Sequence, residues 1–595
     1  MKEFVKTMLA VICAMIVMQI VSTLFFFMLF GSLLVSGSGN VAIPRSGVLD
    51  LDLSTFVLGE QTKEMDMSSL GSLGNLSSMN TVTLGMADAV HAIDAAAADI
   101  GVQYILLRPD GGTAGMGQVE ELRGALARFR ESGKAVIAYL ENPGNGSYYL
   151  STVADKVYLS AHHGGSPQLL GLSSSMIFLK DLLDKVGVHM QLIRHGKYKS
   201  AGEMYIRSSA SPENREQHQV LINSAWKTYS AAICAARDMS EETLNGLIDN
   251  LKLNLPEDFL EAGLVDALMD RQALVDKLCT LSGVQEESQL QLIPFVAYAQ
   301  NKAVQQPLAR AYVAVIYADG EIVDGDDYQQ VAGDRFARAI DQLRSDQTVK
   351  AAVLRVNSPG GSVAASEKIR AALDRLQAEK PVVASFGNYA ASGGYWISNG
   401  CQRIFSDANT ITGSIGVFSM LPELSGVTRK VGVKVETVGS HKHSDMFSLM
   451  RPFDAAEQAY LQASVEDIYE RFVRLVARGR GMEPARVDEL AQGRVWLGTD
   501  ALELGLVDEI GTLQDAVAYA ASLASLTSAD GYGLLACPEQ PTFLETLLEG
   551  LGQGNQTPAI LSDTPFEAFS KALGSLKQVD PAKAYVRLPY AFDIR

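Results

Sequence analysis

Residues 119–139, "VEELRGALARFRESGKAVIAY", align without a gap on residues 366–386, "SEKIRAALDRLQAEKPVVASF", at an offset of 247. Arg123 falls on Arg370, Leu126 on Leu373 and Arg128 on Arg375. A chain that repeats itself over this distance must build one architecture twice. Each copy reads as an amphipathic helix of period 3.6, a lysine-bearing turn and an apolar strand. Upstream, "YILLRPDGGTAG" (104–115) parallels "AVLRVNSPGGSVA" (352–364). Downstream, "DKVGV" (184–188) parallels "RKVGV" (429–433), and "AGLVD" (262–266) parallels "LGLVD" (504–508). The unit is strand, Gly-Gly turn, helix, strand, small-residue turn, helix, strand. Alternating strands and helices predict α/β layers with parallel pairing. Strands such as "AAVLRV" and "VVASF" are predominantly apolar, as burial on both faces requires. Each copy then adds a long helix. One starts after Ser211 with Pro212 in first position; the other starts at Asp454 with Glu457 three residues on.

The N-terminus stands outside the repeat. Lys2 and Lys6 precede an uncharged stretch from Thr7 to Pro44, densest in apolar residues over 8–35. A helix needs about 20 apolar residues to cross a bilayer. A cleaved signal peptide has a shorter apolar region of roughly 7–15 residues. The stretch therefore predicts one uncleaved transmembrane signal anchor, with a cytoplasmic N-terminus and the body on the far side. The expected organisation is 1–7 cytoplasmic, 8–35 membrane anchor, 45–300 first α/β repeat and 309–537 second α/β repeat, joined near 300–308. The segment 538–595 has no counterpart in the first copy and reads as a tail of short helices and loops. The net charge of −18 offers no basic block, which argues against nucleic acid as partner. The five cysteines (13, 234, 279, 401, 537) show no metal-site spacing and read as small buried hydrophobes. His162/His163 and His441/His443 have no carboxylate or cysteine company in the sequence, so no metal and no cofactor is expected.

What distinguishes the copies is a serine. "NPGNGSYYLS" (142–151) lies over "YAASGGYWIS" (389–398), and Ser392 falls opposite Asn145. Ala390, Ala391, Gly393 and Gly394 allow close backbone approach where a helix is expected to begin. A serine there sits beside free N–H donors suited to a developing negative charge. The turn "NSPGG" supplies a second donor from Gly360 or Gly361. An N-cap serine in a tight packing corner would have the same residue types. A serine nucleophile also needs a base. None of the eight histidines lies in the matching small-residue turns and no GxSxG occurs, although residue types leave a Ser-His-Asp site open. The alternative base is a lysine whose pKa burial has lowered.

"YKSAGEMYIR" (198–207), "NSPGGS" (357–362), "NYAASGGYWIS" (388–398) and "TGSIGV" (412–417) together resemble the signal peptide peptidase A family, also called protease IV, in its long, duplicated, membrane-anchored bacterial form. The resemblance covers nearly the whole chain and is weakest in the tail. It implies a Ser/Lys peptidase built as a tandem repeat of two crotonase/Clp-protease-like α/β domains. By position, Ser392 matches the nucleophile, Lys199 the general base and Ser414 a serine that orients that lysine; Gly361 and Gly393 are the oxyanion donors by similarity to the fold. Lys199 falls opposite Ser444 and Ser414 opposite Leu169, so each copy lacks what the other supplies. The resemblance further implies apolar peptide substrates left by signal-peptide cleavage, a homotetramer, and residence in the bacterial inner membrane with an extracytoplasmic body. "VFSML" (417–421) and "FSLM" (447–450) are candidates to line an apolar groove. Lys197 reads as solvated. Two rivals are a crotonase-type acyl-CoA enzyme, which would have no nucleophilic serine, and an inactive membrane scaffold that kept the repeat.

Overall fold

The apolar strands of both copies pair side by side in the same order. In a computed structural model, residues 43–63, 82–162, 167–304, 309–526, 531–538 and 584–588 are described; the expected anchor and most of the tail lie outside them. Residues 1–45 and 46–595 are separate units, and both repeats lie within the second. No helix among the described residues is long and apolar enough to cross a membrane.

The first copy forms a parallel sheet in the order Ala267–Met269, Lys156–Ser160, Val136–Leu140, Val102–Arg108, Gly47–Asp52, Leu292–Pro294. The second copy repeats it as Glu509–Ile510, Ile404–Ser406, Val382–Ala391, Val349–Ser358, Tyr312–Asp319, Gly533–Cys537, again all parallel. Val136–Leu140 is buried at every position. Val349–Ser358 and Val382–Ala391 are buried at nearly every position, as continuous apolar strands covered on both faces must be.

The helices follow their sequence signals. Ser211 caps Pro212–Arg237 by accepting from the Asn214 N–H. Asp454 and Glu457 form the reciprocal capping box of Ala455–Arg480. Val363–Gln377 buries Ala365, Ile369, Ala372, Leu373 and Leu376, the stripe its period requires. Phe295–Val304 carries helix into the segment expected to be a linker.

A third sheet joins the copies and was not foreseen. Its order is Val331–Ala332, Ile322–Val323, Gly360–Ser362, Tyr585–Arg587, Val417–Glu423, His189–His195. His189–His195 belongs to the first copy and runs antiparallel to Val417–Glu423 of the second over seven residue pairs. Tyr585–Arg587 comes from the tail, where helices and loops were expected, and is a strand because both of its neighbours offer open backbone edges.

A buried ion cluster also spans the copies. Arg355, fully buried, meets Glu60 at 2.7 Å and Glu121 at 2.6 Å, and donates to Ser385 Oγ and the Phe386 carbonyl. Asp407 is buried beside them, and burial together with Glu121 pushes its carboxyl well above the usual range.

Candidate active site

The strand Val382–Ala391 ends in the small-residue turn, and Gly393–Ser398 begins a short helix immediately after it. Ser392 sits between them at φ 56° and ψ −108°, a backbone conformation that costs a non-glycine residue roughly 1–3 kcal/mol. Two bonds hold it there. Its N–H donates to the Gly413 carbonyl at 2.8 Å, and its carbonyl accepts from the Trp396 N–H at 2.7 Å. Ala390 and Ala391 are buried, and a Cβ on Gly394 would come within 2.8 Å of the Ser358 carbonyl oxygen. The crowding of small residues is thus a requirement of close backbone approach.

Lys199 arrives from the other copy. It follows His189–His195 in a tight turn clamped by the segment after Leu490: the Tyr198 N–H donates to the Gln492 carbonyl at 2.9 Å. Gly493 has φ +78°, and a Cβ there would sit 2.5 Å from Lys199 Cβ, so only glycine lets the turn close. Lys199 Nζ lies 2.8 Å from Ser392 Oγ, 3.0 Å from Ser414 Oγ and 3.0 Å from the Ser414 carbonyl oxygen. All three residues are fully buried. Burial alone drives the Lys199 amine well below its ordinary pKa. A neutral amine has two N–H donors and one lone pair. The two Ser414 oxygens can take the donors, which leaves the lone pair for the Ser392 hydroxyl proton.

Gly361 lies in the strand Gly360–Ser362, at the end of the turn "NSPGG". A Cβ on Gly393 would be 3.0 Å from the Gly361 nitrogen, so the two glycines lie side by side next to Ser392. All five residues singled out in the sequence are therefore brought together: Lys199 from the first copy, Gly361, Ser392, Gly393 and Ser414 from the second.

The residues matched by the family model "Peptidase family S49" are 128–285 and 374–527, one stretch in each copy. Protease 4 of Salmonella typhi is 36% identical over 87% of this chain and 84% of its own length. Protease 4 of Haemophilus influenzae is 38% identical over 67% of this chain and 66% of its own. A putative signal peptide peptidase SppA of Enterococcus faecium is 39% identical over 32% of this chain and 55% of its own. The chain belongs to peptidase family S49. It is a serine peptidase of the long, twice-matched kind.

Around the five residues, this S49 peptidase has supports that the sequence reading missed. Arg194 Nη1 donates to the Lys199 carbonyl at 2.6 Å and meets the fully buried Glu203 at 3.3 Å. Glu203 in turn accepts from the Ser211 N–H and from Asn214 Nδ2, tying the lysine turn to the cap of the long helix. Glu203 lies inside the quoted motif "YKSAGEMYIR", so a carboxylate four residues past the lysine was the available signal. Lys197 is exposed, its amine 5.1 Å from the Tyr198 ring centroid. His443 corrects an expectation: two carboxylates do keep it company, with Nδ1 3.0 Å from Glu457 and 3.7 Å from Asp454. Arg451 already supplies the positive charge there, bonding both Glu457 oxygens and Asp445. The four described cysteines are buried.

Proposed function

We propose that this S49 peptidase cleaves peptides with a Ser392/Lys199 dyad. The observation that carries the reading is the fully buried amine 2.8 Å from the buried hydroxyl, with burial as the cause of its lowered pKa. Lys199 takes the Ser392 proton as Oγ attacks the substrate carbonyl carbon. The Gly361 and Gly393 N–H groups receive the oxyanion. Lys199 then gives its proton to the leaving amine, the C–N bond breaks, and water hydrolyses the acyl-enzyme by the same route. Ser414 orients the amine. A serine-directed phosphonate should label Ser392 and nothing else; an unlabelled Ser392 in a folded, peptide-cleaving chain overturns the assignment.

Two further outcomes test the roles. The acid limb of kcat/KM should report Lys199, because only the neutral amine accepts the proton. Activity then falls about tenfold per pH unit below the folded-state pKa and reaches its plateau well below pH 10.5. Ser414→Ala removes one of two acceptors and should cost about tenfold in kcat, the worth of one hydrogen bond of about 1.4 kcal/mol, with KM unchanged.

The substrates we propose are apolar peptides of the kind left by signal-peptide cleavage. The name carried by the Enterococcus relative and the apolar run at 8–35 support this. That run would serve as a single N-terminal membrane anchor, with a cytoplasmic N-terminus and the catalytic body outside the cytoplasm. A homotetramer is the assembly we propose, and sedimentation of the detergent-solubilised chain would test it.

A further inference from the structure

Ser392 has no exposed surface, and what covers the neighbouring backbone edge is the chain itself. Tyr585–Arg587 lies antiparallel to Gly360–Ser362, with Gly360 opposite Arg587, Gly361 opposite Val586 and Ser362 opposite Tyr585. Its other edge meets Val417–Glu423, with Tyr585 opposite Phe418. The Leu588 N–H donates to the Pro359 carbonyl at 2.7 Å, and the Val363 N–H donates to the Ala584 carbonyl at 3.3 Å. Bonded pairs alternate along an antiparallel ladder. Gly361 and Val586 sit midway between those two bonds, so they are the bonded pair, and the Gly361 N–H faces the Val586 carbonyl oxygen. The Gly393 nitrogen, the second donor, lies on the same side of Gly360 as that oxygen. A Cβ on Gly360 would lie 2.1 Å from the Val586 oxygen and 2.6 Å from the Gly393 nitrogen. A main-chain carbonyl of the tail thus takes up the Gly361 N–H, one of the two donors assigned above to the oxyanion, and lies near the other.

The side chains are seated as well. Val586 is fully buried, and Leu588 packs among Leu221, Ala391, Ile411, Val495 and Leu497. Tyr585 lies against Phe418, with ring centroids 6.1 Å apart and the rings tilted by 32°. Arg587 pairs with Glu321 at 2.9 Å. Backbone pairing on both edges with alternate side chains in pockets is how an extended peptide is taken up by strand addition.

We propose that residues 584–588 are a built-in occupant of the peptide groove, which competes with substrate and marks its subsites. This rests on the dyad reading above. Substrate would bind as an antiparallel strand between Gly360–Ser362 and Val417–Glu423, with the attacked carbonyl where Val586 now sits. The preferred residue there is small, apolar and β-branched, preceded by an aromatic. Turnover requires the tail strand to leave, so the competent fraction of the resting chain is small.

The test uses a fluorescent peptide of residues 582–590, AKAYVRLPY, with the full chain and a chain ending at Lys583, both carrying Ser392→Ala so that binding is read without chemistry. Anisotropy should show saturable binding to the shortened chain and at least about tenfold weaker binding to the full one. With Ser392 restored, shortening should speed phosphonate labelling at least about tenfold. Val586→Pro in the full chain, which removes the strand's N–H at Gly361, should do the same and covers the case in which the shortened chain fails to fold. Equal binding to both chains, no binding to the folded shortened chain, or unchanged labelling rates would overturn the proposal. Failure of the dyad reading looks different: no chain is labelled at Ser392, while anisotropy still separates the two chains.

Discussion

A chain carrying Lys199→Met is expected to lose turnover by roughly 10⁴–10⁶-fold and to become more stable at neutral pH. The loss follows from the missing proton acceptor: among the described residues, no other titratable side chain is bonded to Ser392 Oγ. The gain follows from linkage. The folded amine is neutral well below pH 10.5, while the unfolded chain carries the proton up to its ordinary pKa. Between those two values the unfolded state binds one more proton than the folded state, so the stability of the parent chain falls as pH falls. Methionine has similar length and nothing to protonate. The advantage of the variant should therefore grow by about 1.4 kcal/mol for each pH unit below 10, and level off at the folded-state pKa. Denaturant unfolding of both chains at pH 7, 8 and 9 measures it. A difference that does not change with pH would mean that the amine is charged in the folded protein, and the proposed base would be lost.

Arg355→Leu should destabilise the folded body by about 3–5 kcal/mol, because it leaves Glu60, Glu121 and Asp407 buried with no counter-charge. The carboxyls would respond by holding protons, so the folded state would bind more protons than the unfolded one. The loss then deepens as pH rises through the unfolded carboxylate range, and the melting temperature should fall further at pH 8 than at pH 5. Adding Glu60→Gln and Glu121→Gln should return part of the stability, since neutral amides need no cation. Glu60 and Glu121 belong to the first copy and Arg355 and Asp407 to the second, so the same experiment reads how strongly the copies depend on each other. A loss under about 1 kcal/mol would show that the cluster is dispensable.

Much of the site was legible before any coordinates. Ser392 stood out because Asn145 occupies its place in the other copy, and the glycines and alanines around it had no use in an ordinary core. The caps at Ser211 and Asp454 were readable because capping is local: a side chain bonds a backbone N–H two or three residues on. The supports of the lysine turn were not legible. Arg194 reaches the Lys199 carbonyl only because both flank one turn, and Gly493 packs on Lys199 from almost 300 residues away in the chain. His443 shows the reverse case. Its sequence neighbours suggested isolation, and a turn of the chain brought Asp454 and Glu457 to it.

The sequence by itself determined the duplicated parallel α/β architecture, because apolar periodicity and turn chemistry act over a few residues and recur at a fixed offset. It also singled out the residue types that differ between the copies. Only the tertiary structure decided that an amine from one copy meets a hydroxyl from the other at hydrogen-bond distance in a dry interior, that Arg355 binds the copies together, and that Tyr585–Arg587 fills the edge beside Ser392. Those three depend on backbone edges and buried charges that meet across long stretches of chain, where spacing along the sequence carries no information about distance in space.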